Sequence, residues 1–355
     1  MSPMTEVADR STATLPSPAE LEPQLETYRT ELTAYAYRML GSAFEAEDAV
    51  QETMVRAWRA LDRFEGRSQL RSWLYRITTN VCLDMLTSRE RRARPMDLES
   101  ASHADRPLPA PLAETAWIEP IPDARVMPAG GDPAELVATR ESVKLAFMAA
   151  LQHLPPRQRA VLILREVLRW RAAEVAELLE TSVASVNSAL QRARATLDAI
   201  GASTDDAPSP LDQASTELLD RYVQAFESYD MDALTALLHE DATWNMPPFA
   251  LWLRGHRDIV DWCVGPGFAC RGSKLIRTEA NGRPAWGQYK PAADGGWEPW
   301  SLQVLEARGG KISEMTFFLD TARWFPLFGL PARLDAEGRP TADSAFLSLT
   351  DRIPR

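Results

Sequence analysis

Residues 168–197 read LRWRAAEVAELLETSVASVNSALQRARATL and predict two short helices joined by a tight turn. Apolar residues at helical spacing between Ala172 and Leu179 indicate a first amphipathic helix. Glu180 and Thr181 follow as the turn, and Ser182 is a residue type that caps helix N-termini. This order of elements is typical of a helix-turn-helix.

The second helix of this pair has one apolar face and one polar face. Val186, Leu190, Ala193 and Leu197 recur at helical spacing, so we expect them to pack inward. The polar side contains Ser182, Ser185, Asn187, Ser188, Gln191 and Arg192. Small polar side chains near the start of such a helix allow close approach to base edges, and a later arginine can contact phosphates. An ordinary helical hairpin is the alternative for this segment.

A second helical stretch, AEDAVQETMVRAWRALDRFEG, covers residues 46–66. Its spacing predicts an inward side made of Val50, Met54, Ala57, Trp58 and Leu61. The outward side then contains Asp48, Gln51, Glu52 and Arg56. A charged outer side of this kind is either a binding surface or simply solvated helix surface.

The next stretch, SQLRSWLYRITTNVCLDMLTSRERRAR at residues 68–94, predicts a helix that buries Leu70, Leu74, Ile77 and Val81. Its other residues include Arg71, Trp73, Arg76, Asn80 and Arg91. Aromatic rings can stack on unpaired bases, Asn can read a base edge, and Arg can follow phosphates. The pattern therefore suits single-stranded DNA, while a half-buried structural role for Trp73 stays open.

Composition narrows the class of protein. The chain has 355 residues and a net charge of -11, which argues against indiscriminate coating of nucleic acid. Its three cysteines have neither metal-ligand spacing nor the even count of a disulfide framework. No stretch of about 18 uninterrupted apolar residues is present. We expect a cytoplasmic protein with no metal, no cofactor and no membrane contact.

Charge and proline content divide the chain. Residues 63–94 hold eight Arg against three acids, whereas residues 95–141 hold three Arg against nine acids and are rich in proline. A proline-rich stretch cannot keep a helical register, so this second segment reads as a linker. The predicted organisation is a disordered N-terminus (1–24), a helical module (25–94), the linker (95–140), the helix-turn-helix module (141–201), an α+β domain (212–335) and a tail (336–355).

Together, the two helical modules resemble extracytoplasmic-function (ECF) sigma factors. Residues 46–61 and 68–86 are similar to regions 2.1 to 2.4 of that family, and LPPRQRAVLILREV at 154–167 leads into a helix-turn-helix similar to region 4. The resemblance covers about residues 25–94 and 141–200 and includes the order and spacing of the motifs. It implies a factor that opens promoters without catalysing a reaction itself.

The resemblance also implies partners and sites. Core RNA polymerase would be bound at its beta-prime clamp and beta flap, with Asp48, Gln51, Glu52 and Arg56 on the clamp. The melted minus-ten strand would be held by Arg71, Trp73, Arg76, Asn80 and Arg91, with a flipped base in the loop at 64–69. The second helix of the helix-turn-helix, at 182–197, would be the recognition helix that reads the minus-thirty-five element of promoter DNA. Glu180 departs from the glycine usual at this corner, and Asn187 and Ala189 stand where basic residues are frequent.

The last block resembles a SnoaL-like domain, a cone-shaped α+β fold shared with nuclear transport factor two. YVQAFESYDMDALTALLHEDATWNMPP at 222–248 and WSLQVLEARGGKISEMTFFLD at 300–320 carry the resemblance, with Gly309 and Gly310 as a hairpin turn. Trp244, Met246, Trp252 and Trp286 could line a pocket for a small-molecule ligand, or they could simply fill the cone. Some relatives are enzymes, so His239, Asp241 and His256 are weak catalytic candidates.

The predicted fold class is therefore multidomain, with all-α sigma domains 2 and 4 joined by a long linker and followed by a SnoaL-like cone domain. We expect that last domain to regulate the factor in cis, with no obligate anti-sigma partner. The alternative function is a SnoaL-type enzyme or ligand sensor fused to a DNA-binding module. Turnover by the C-terminal domain would favour the alternative, and association with core polymerase would favour the sigma factor.

Overall fold

A computed structural model gives the fold of the chain. The structure describes residues 18–64, 69–87, 91–128, 130, 132–200 and 213–341. The N-terminal helical module consists of α1 (Pro18–Thr27), α2 (Arg29–Leu40), α3 (Ala43–Ala60) and α4 (Leu70–Met85). Gly41 separates α2 from α3 in a left-handed conformation with φ of 73°. Helix α1 begins within the segment predicted to be disordered, because Leu21 and Leu25 are buried against the helical core.

The segment predicted as a linker is packed against its neighbours. It contains α5 (Pro95–Leu98), a 3-10 turn (Glu114–Ala116) and α6 (Asp123–Val126). This segment has three buried apolar side chains, those of Trp117, Ile118 and Ile121. Their burial explains why a proline-rich segment has a defined path here. Apolar side chains between the prolines therefore determine its path, and proline spacing alone does not reveal this.

The helix-turn-helix module follows, and its helices lie against the first module. It consists of α7 (Pro133–Glu141), α8 (Leu145–Gln152), α9 (Pro156–Leu162) with a π-helical continuation (Ile163–Val167), α10 (Ala172–Leu178) and α11 (Val183–Ala199). Helix α2 contacts α8 and α9, and α4 contacts α9 and α10. None of the helices in the described part of the chain combines the length and apolar character that a membrane span requires.

The C-terminal domain is α+β. Its elements are α12 (Gln213–Ser228), α13 (Met231–Leu237), β1 (Leu238–Asn245), β2 (Trp252–Arg254), α14 (His256–Val264), a 3-10 turn (Pro266–Cys270), β3 (Lys274–Ala280), β4 (Arg283–Pro291), β5 (Trp297–Arg308), β6 (Lys311–Phe318) and α15 (Thr321–Leu327). The six strands form one mixed sheet in the order β2-β1-β6-β5-β4-β3, in which only β1 and β6 pair in parallel. The predicted Gly309–Gly310 turn joins β5 to β6, with φ of 59° and 72°.

Alternate residues of β5 face two different hydrophobic clusters. Leu302 and Val304 belong to a cluster that also contains the buried residues of both helical modules. Leu305 belongs to a second cluster, between the sheet and α12 to α14. Side chains alternate between the two sides of a strand. One side of the sheet therefore packs in the core of its own domain, and the other side packs in the core of the two helical modules. All three modules consequently share buried apolar surface.

The β3–β4 turn is the point at which the three modules meet. Asn281 and Gly282 have φ of 56° and 71°, as a two-residue hairpin turn requires. Asn281 is fully buried, and its Nδ2 donates to the Tyr37 hydroxyl at 2.6 Å and to the Val143 carbonyl at 2.8 Å. Its Oδ1 accepts from the Ile121 amide at 3.1 Å. One side chain thus bonds to α2, to the linker and to the residues that follow α7.

The two glycine turns allow a matched test of this contact. A Cβ at Gly282 would lie 2.7 Å from the Arg140 carbonyl oxygen, whereas a Cβ at Gly310 would meet nothing within 4 Å. Both residues have φ near 70°, so Gly→Ala strain of about 1–2 kcal/mol is common to both. We expect Gly282→Ala to lower the thermal midpoint clearly more than Gly310→Ala in calorimetry. Equal losses would contradict the close packing of the β3–β4 turn.

Candidate nucleic-acid interface

The recognition helix α11 packs as its sequence predicts. Val186, Leu190, Ala193 and Leu197 are buried, and the Ser182 hydroxyl accepts the Ser185 amide at 3.1 Å as an N-cap. The six predicted DNA-contacting residues are exposed: Ser182, Ser185, Asn187, Ser188, Gln191 and Arg192. The polar side of α11 is therefore exposed to solvent.

The structure adds two features to the predicted helix-turn-helix. Glu180 occupies the corner with φ of 51°, so a side chain stands in the left-handed conformation that glycine adopts most easily. Beside α11 lies an open groove of about 510 Å³, which extends the polar surface with two arginines, Arg165 and Arg194. Arg165 precedes the helix-turn-helix by sequence, so helical periodicity in α11 could not associate it with that surface.

The predicted polymerase-binding residues lie together on the outside of α3. Asp48, Gln51 and Arg56 are exposed, and Glu52 is half-buried and accepts from Arg56 Nε at 2.7 Å. The prediction that Trp58 packs inward is wrong, because Trp58 is 60% exposed while Val50, Met54 and Ala57 are buried. Periodicity placed Trp58 at the edge of the apolar side, and the preceding Ala57 fills the space against the core instead.

Helix α4 buries the predicted side but is shorter than predicted. Leu70, Leu74 and Val81 are buried and Ile77 is partly buried, as predicted. The helix ends at Met85, before the arginine-rich segment. The residues 65–68 of the predicted base-binding loop lie outside the described part of the chain.

The predicted minus-ten residues have different environments. Asn80 is exposed, whereas Trp73 is partly buried and its ring lies 5.0 Å from that of Phe64. Arg71 binds both carboxylate oxygens of Glu31, and its guanidinium lies 5.4 Å from the ring centre of Trp170. Arg71 therefore already contacts a residue of the helix-turn-helix module.

Two further minus-ten residues make the same kind of contact. Arg76 lies 3.7 Å from the Glu177 carboxylate on α10, and Arg91 bonds to the His153 ring at 2.6 Å. Glu177 and His153 both belong to the helix-turn-helix module. Three of the five predicted minus-ten residues are thus engaged by the other helical module within the same molecule.

Buried arginines hold these two modules against each other. Arg38 on α2 donates to the Ser142 hydroxyl at 2.6 Å, and burial lowers its pKa to about 10. Arg159 on α9 donates to the Met39 carbonyl and, at 2.8 Å, to Gln152. Burying a guanidinium is unfavourable unless it is well hydrogen-bonded, so removing either set of partners would weaken this contact.

A buried ionic cluster joins the first module, the linker and the C-terminal domain. Arg92 lies 2.8 Å from Glu45 and 3.7 Å from Glu119, and Glu119 also contacts Arg323 of α15 at 3.0 Å. Burial raises the pKa of Glu119, while both arginines favour its charged form. Arg92 is only 6% exposed, so it is enclosed in this cluster.

A second cluster surrounds Glu306 on β5. Its carboxylate lies 2.8 Å from Arg283, which also pairs with Glu141 of α7 at 3.1 Å. On the neighbouring strand, Glu314 lies 3.6 Å from Arg94. Burial raises the pKa of Glu306 to about 7; Arg283 opposes this shift, and Glu314 and Glu141 add to it.

The C-terminal aromatic residues lie in two environments. Trp244, Met246 and Trp286 are buried in the second hydrophobic cluster, and the Trp244 ring stacks on Phe317 at 4.0 Å. Trp252 is partly exposed, and its Nε1 donates to the Glu99 carbonyl of the linker at 2.9 Å.

The weak catalytic candidates lie at the β1–β2 edge. Asp241 is exposed and paired with Arg254 at 2.9 Å, and the His256 ring contacts the His239 carbonyl at 3.0 Å. No group of three or more His, Cys, Asp or Glu side chains within the described ranges is placed to hold a metal ion.

Comparison with known proteins identifies the modules. The family profile Sigma-70 region 2 matches residues 25–92, Sigma-70 region 4 matches 144–197, and the SnoaL-like domain matches 219–315. The ECF RNA polymerase sigma factor SigG of Mycobacterium tuberculosis is 46% identical over 314 residues, which cover 87% of this chain and 83% of that protein. SigJ of the same species is 29% identical over 248 residues, covering 68% and 72%.

A solved structure has the same order of domains. The crystal structure of Mycobacterium tuberculosis SigJ covers 87% of this chain and 99% of that chain, with a TM-score of 0.56 and 23% sequence identity, which supports the fold. The family and the fold class predicted from the sequence are confirmed. The chain belongs to the ECF family of RNA polymerase sigma factors and has a SnoaL-like domain after its region 4.

Proposed function

We propose that this sigma factor directs core RNA polymerase to promoters through two separate surfaces, and that the arrangement described above is its closed resting state. The observation that carries the proposal is the contact between α4 and α10, where Arg76 meets Glu177 at 3.7 Å. Helix α4 is the proposed minus-ten reader, and α10 belongs to the proposed minus-thirty-five reader.

The spacing of the two promoter elements requires these surfaces to separate. Elements centred at minus ten and minus thirty-five are 25 base pairs apart, which is about 85 Å at about 3.4 Å per base pair. A helix of 17 residues such as α11 is only about 25 Å long. With α4 and α10 in contact, one molecule cannot reach both elements on straight duplex DNA. We infer that region 4 moves away from region 2 before the promoter opens.

Polymerase is the partner best placed to start that movement. Asp48, Gln51 and Trp58 lie on the exposed side of α3, and no contact with the C-terminal domain covers them in the described arrangement. The beta-prime clamp can therefore bind α3 while the factor is still closed. Promoter opening then needs only binding energy, since stacking platforms and base pockets offset the cost of extruding bases.

We further propose that the SnoaL-like domain regulates the factor in cis by holding it closed. Its Asn281 side chain bonds to α2, to the linker and to the start of region 4, and its Arg283 pairs with Glu141. These contacts stabilise the closed form without a second protein, so no obligate anti-sigma partner is needed. The exposed position of Asp241, which is paired with Arg254, gives no support to an enzymatic role.

Promoter opening by the minus-ten surface can be tested with core polymerase. Asn80→Ala and Trp73→Ala should lower open-complex formation by about tenfold each, because one stacked or base-contacting side chain contributes about 1–3 kcal/mol. Run-off transcription on genomic fragments with permanganate footprinting measures this. Arg277→Ala, an exposed change on β3, serves as the control. Full activity of both α4 variants would exclude this surface.

Cis regulation can be tested at Asn281. Asn281→Ala removes three buried hydrogen bonds, a loss of about 1–3 kcal/mol that shifts the closed–open equilibrium by about 5- to 150-fold. We expect more run-off product at limiting polymerase. Gly310→Ala, in the other hairpin, should not raise the yield. An unchanged yield for Asn281→Ala would contradict the proposed cis regulation.

Deleting residues 212–355 should also change activity, but the shared core makes the point variant the cleaner test.

The carboxyl groups of Glu306 and Asp123 predict a pH dependence. Burial raises the pKa of Glu306 to about 7 and that of Asp123 to about 6, so the closed form holds protons that the open form releases. Stability from Glu306 is complete below about pH 4.5 and is lost as pH rises through 7, by up to about 3 kcal/mol. The thermal midpoint should therefore decrease as the pH is raised from 5.5 to 8.

Glu306→Gln should flatten this dependence because the amide does not titrate. Glu337→Gln, at an exposed residue of the C-terminal segment, should keep the slope of the unmodified protein. An equally steep slope in Glu306→Gln would assign the pH dependence to other groups.

A further inference from the structure

The recognition helix α11 exposes one large apolar side chain beside its proposed DNA-contacting residues. Val183 is the first residue of α11, and it is 44% exposed. Ser182 and Ser185, which both belong to the predicted DNA-contacting set, are exposed as well. A single exposed apolar residue is common on protein surfaces and needs no function of its own. Val183 differs because the first residues of a DNA-reading helix are those that contact base edges.

Helical spacing places Val183 in line with two amide side chains. Residues four apart are neighbours on a helix surface, with Cβ atoms about 6 Å apart, so Val183, Asn187 and Gln191 form one row along α11. All three residues are exposed. Asn187 and Gln191 also line the open groove beside α11. The row therefore offers one apolar group and two amides to a bound duplex.

The first half of α11 contains no charged residue. Residues 183–191 are uncharged, and the first arginine, Arg192, donates from Nη1 to the Ser188 hydroxyl at 2.7 Å. The next arginine, Arg194, is paired with Glu166. Arginine and lysine are the side chains that most often read guanine, so base contacts from residues 183–191 depend on other chemistry. Apolar side chains contact the methyl group of thymine, and asparagine pairs with adenine.

We propose that Val183 contacts the 5-methyl group of a thymine in the minus-thirty-five element, within two base pairs of an adenine that Asn187 reads. A separation of about 6 Å on the helix corresponds to at most about two steps of about 3.4 Å on the duplex. The contact buries apolar surface and involves no phosphate, so Val183 determines sequence preference and not general DNA affinity. This assignment rests on the proposed reading of the minus-thirty-five element by α11.

Replacement of thymine by uracil tests the contact, because uracil lacks only the 5-methyl group and still pairs with adenine. Run-off transcription with core polymerase and the full chain first identifies a promoter. Each thymine of its minus-thirty-five element is then replaced in turn, and fluorescence anisotropy of labelled DNA measures the affinity of the holoenzyme. We expect one replacement to lower the affinity about fourfold, the effect of removing one buried methyl-sized group. An element without thymine, or no effect of any replacement, would overturn the proposal.

A double-mutant cycle assigns the methyl group to Val183. Val183→Ala should lower the affinity for the thymine promoter about fourfold and leave that for the uracil promoter unchanged, because both changes remove the same contact. Val183→Ile should keep the preference for thymine. Alanine favours helix more than valine does, so weaker binding would not reflect a lost helix. Additive losses from the two changes would overturn the assignment, since they would show that Val183 and the methyl group act separately.

Ile200 provides a matched control at the other end of α11. It is 41% exposed, and the 17 residues of the helix place it about 25 Å from Val183. Ile200→Ala should bind the thymine and uracil promoters as the unmodified protein does. An equal loss on DNA of random sequence for Val183→Ala would assign Val183 to general binding and overturn the proposal.

Failure of the proposed sigma activity would give a different result. Transcription would then be absent with every variant, including the unmodified protein and Ile200→Ala. The same uracil cycle on duplexes bound by the full chain without polymerase would still decide the contact of Val183.

Discussion

The arrangement of the three modules depends on one buried amide. Asn281 lies at the tip of a hairpin, fully enclosed, where an unpaired polar group would cost several kcal/mol. Its cost is offset because both amide hydrogens and the amide oxygen find partners, on α2, on the linker and after α7. These partners come from three parts of the chain, so the amide is satisfied only when all of them are in place. The hydrogen bonds of this turn therefore depend on the packing of all three modules.

The closed arrangement also pairs the arginines of the proposed DNA-binding segment with carboxylates of this acidic protein. Arg71, Arg76 and Arg92 are each paired with a carboxylate from another segment, namely Glu31, Glu177 and Glu45. Phosphate affinity comes from free cationic groups, and these are occupied. Of these three ion pairs, Arg76–Glu177 joins the two helical modules, whereas the other two lie within the first module. The exposed side of α3, which is the proposed polymerase-binding surface, is not involved in these ion pairs.

Much of the fold followed from local rules. The buried residues of α11 and the main buried residues of α4 matched their helical period, and the Gly309–Gly310 turn followed from the conformations that glycine allows. Local rules could not reveal contacts between distant segments. The Asn281–Gly282 dipeptide is itself a strong hairpin signal, but its partners lie more than 130 residues away in the chain. Trp58 shows that local rules can also fail within one helix, since a residue at the border of an apolar face can point inward or outward.

The central claim is that regions 2 and 4 touch in the free factor and separate on the promoter. Spin labels at two exposed residues, Asp84 on α4 and Ala173 on α10, report this distance directly. In the free protein the labels should be less than about 30 Å apart, because a helical rise of about 1.5 Å per residue keeps both near the Arg76–Glu177 contact. In an active complex with polymerase and promoter the distance should grow by more than about 20 Å, toward the spacing of the two elements. An unchanged short distance in a transcribing complex would contradict the account.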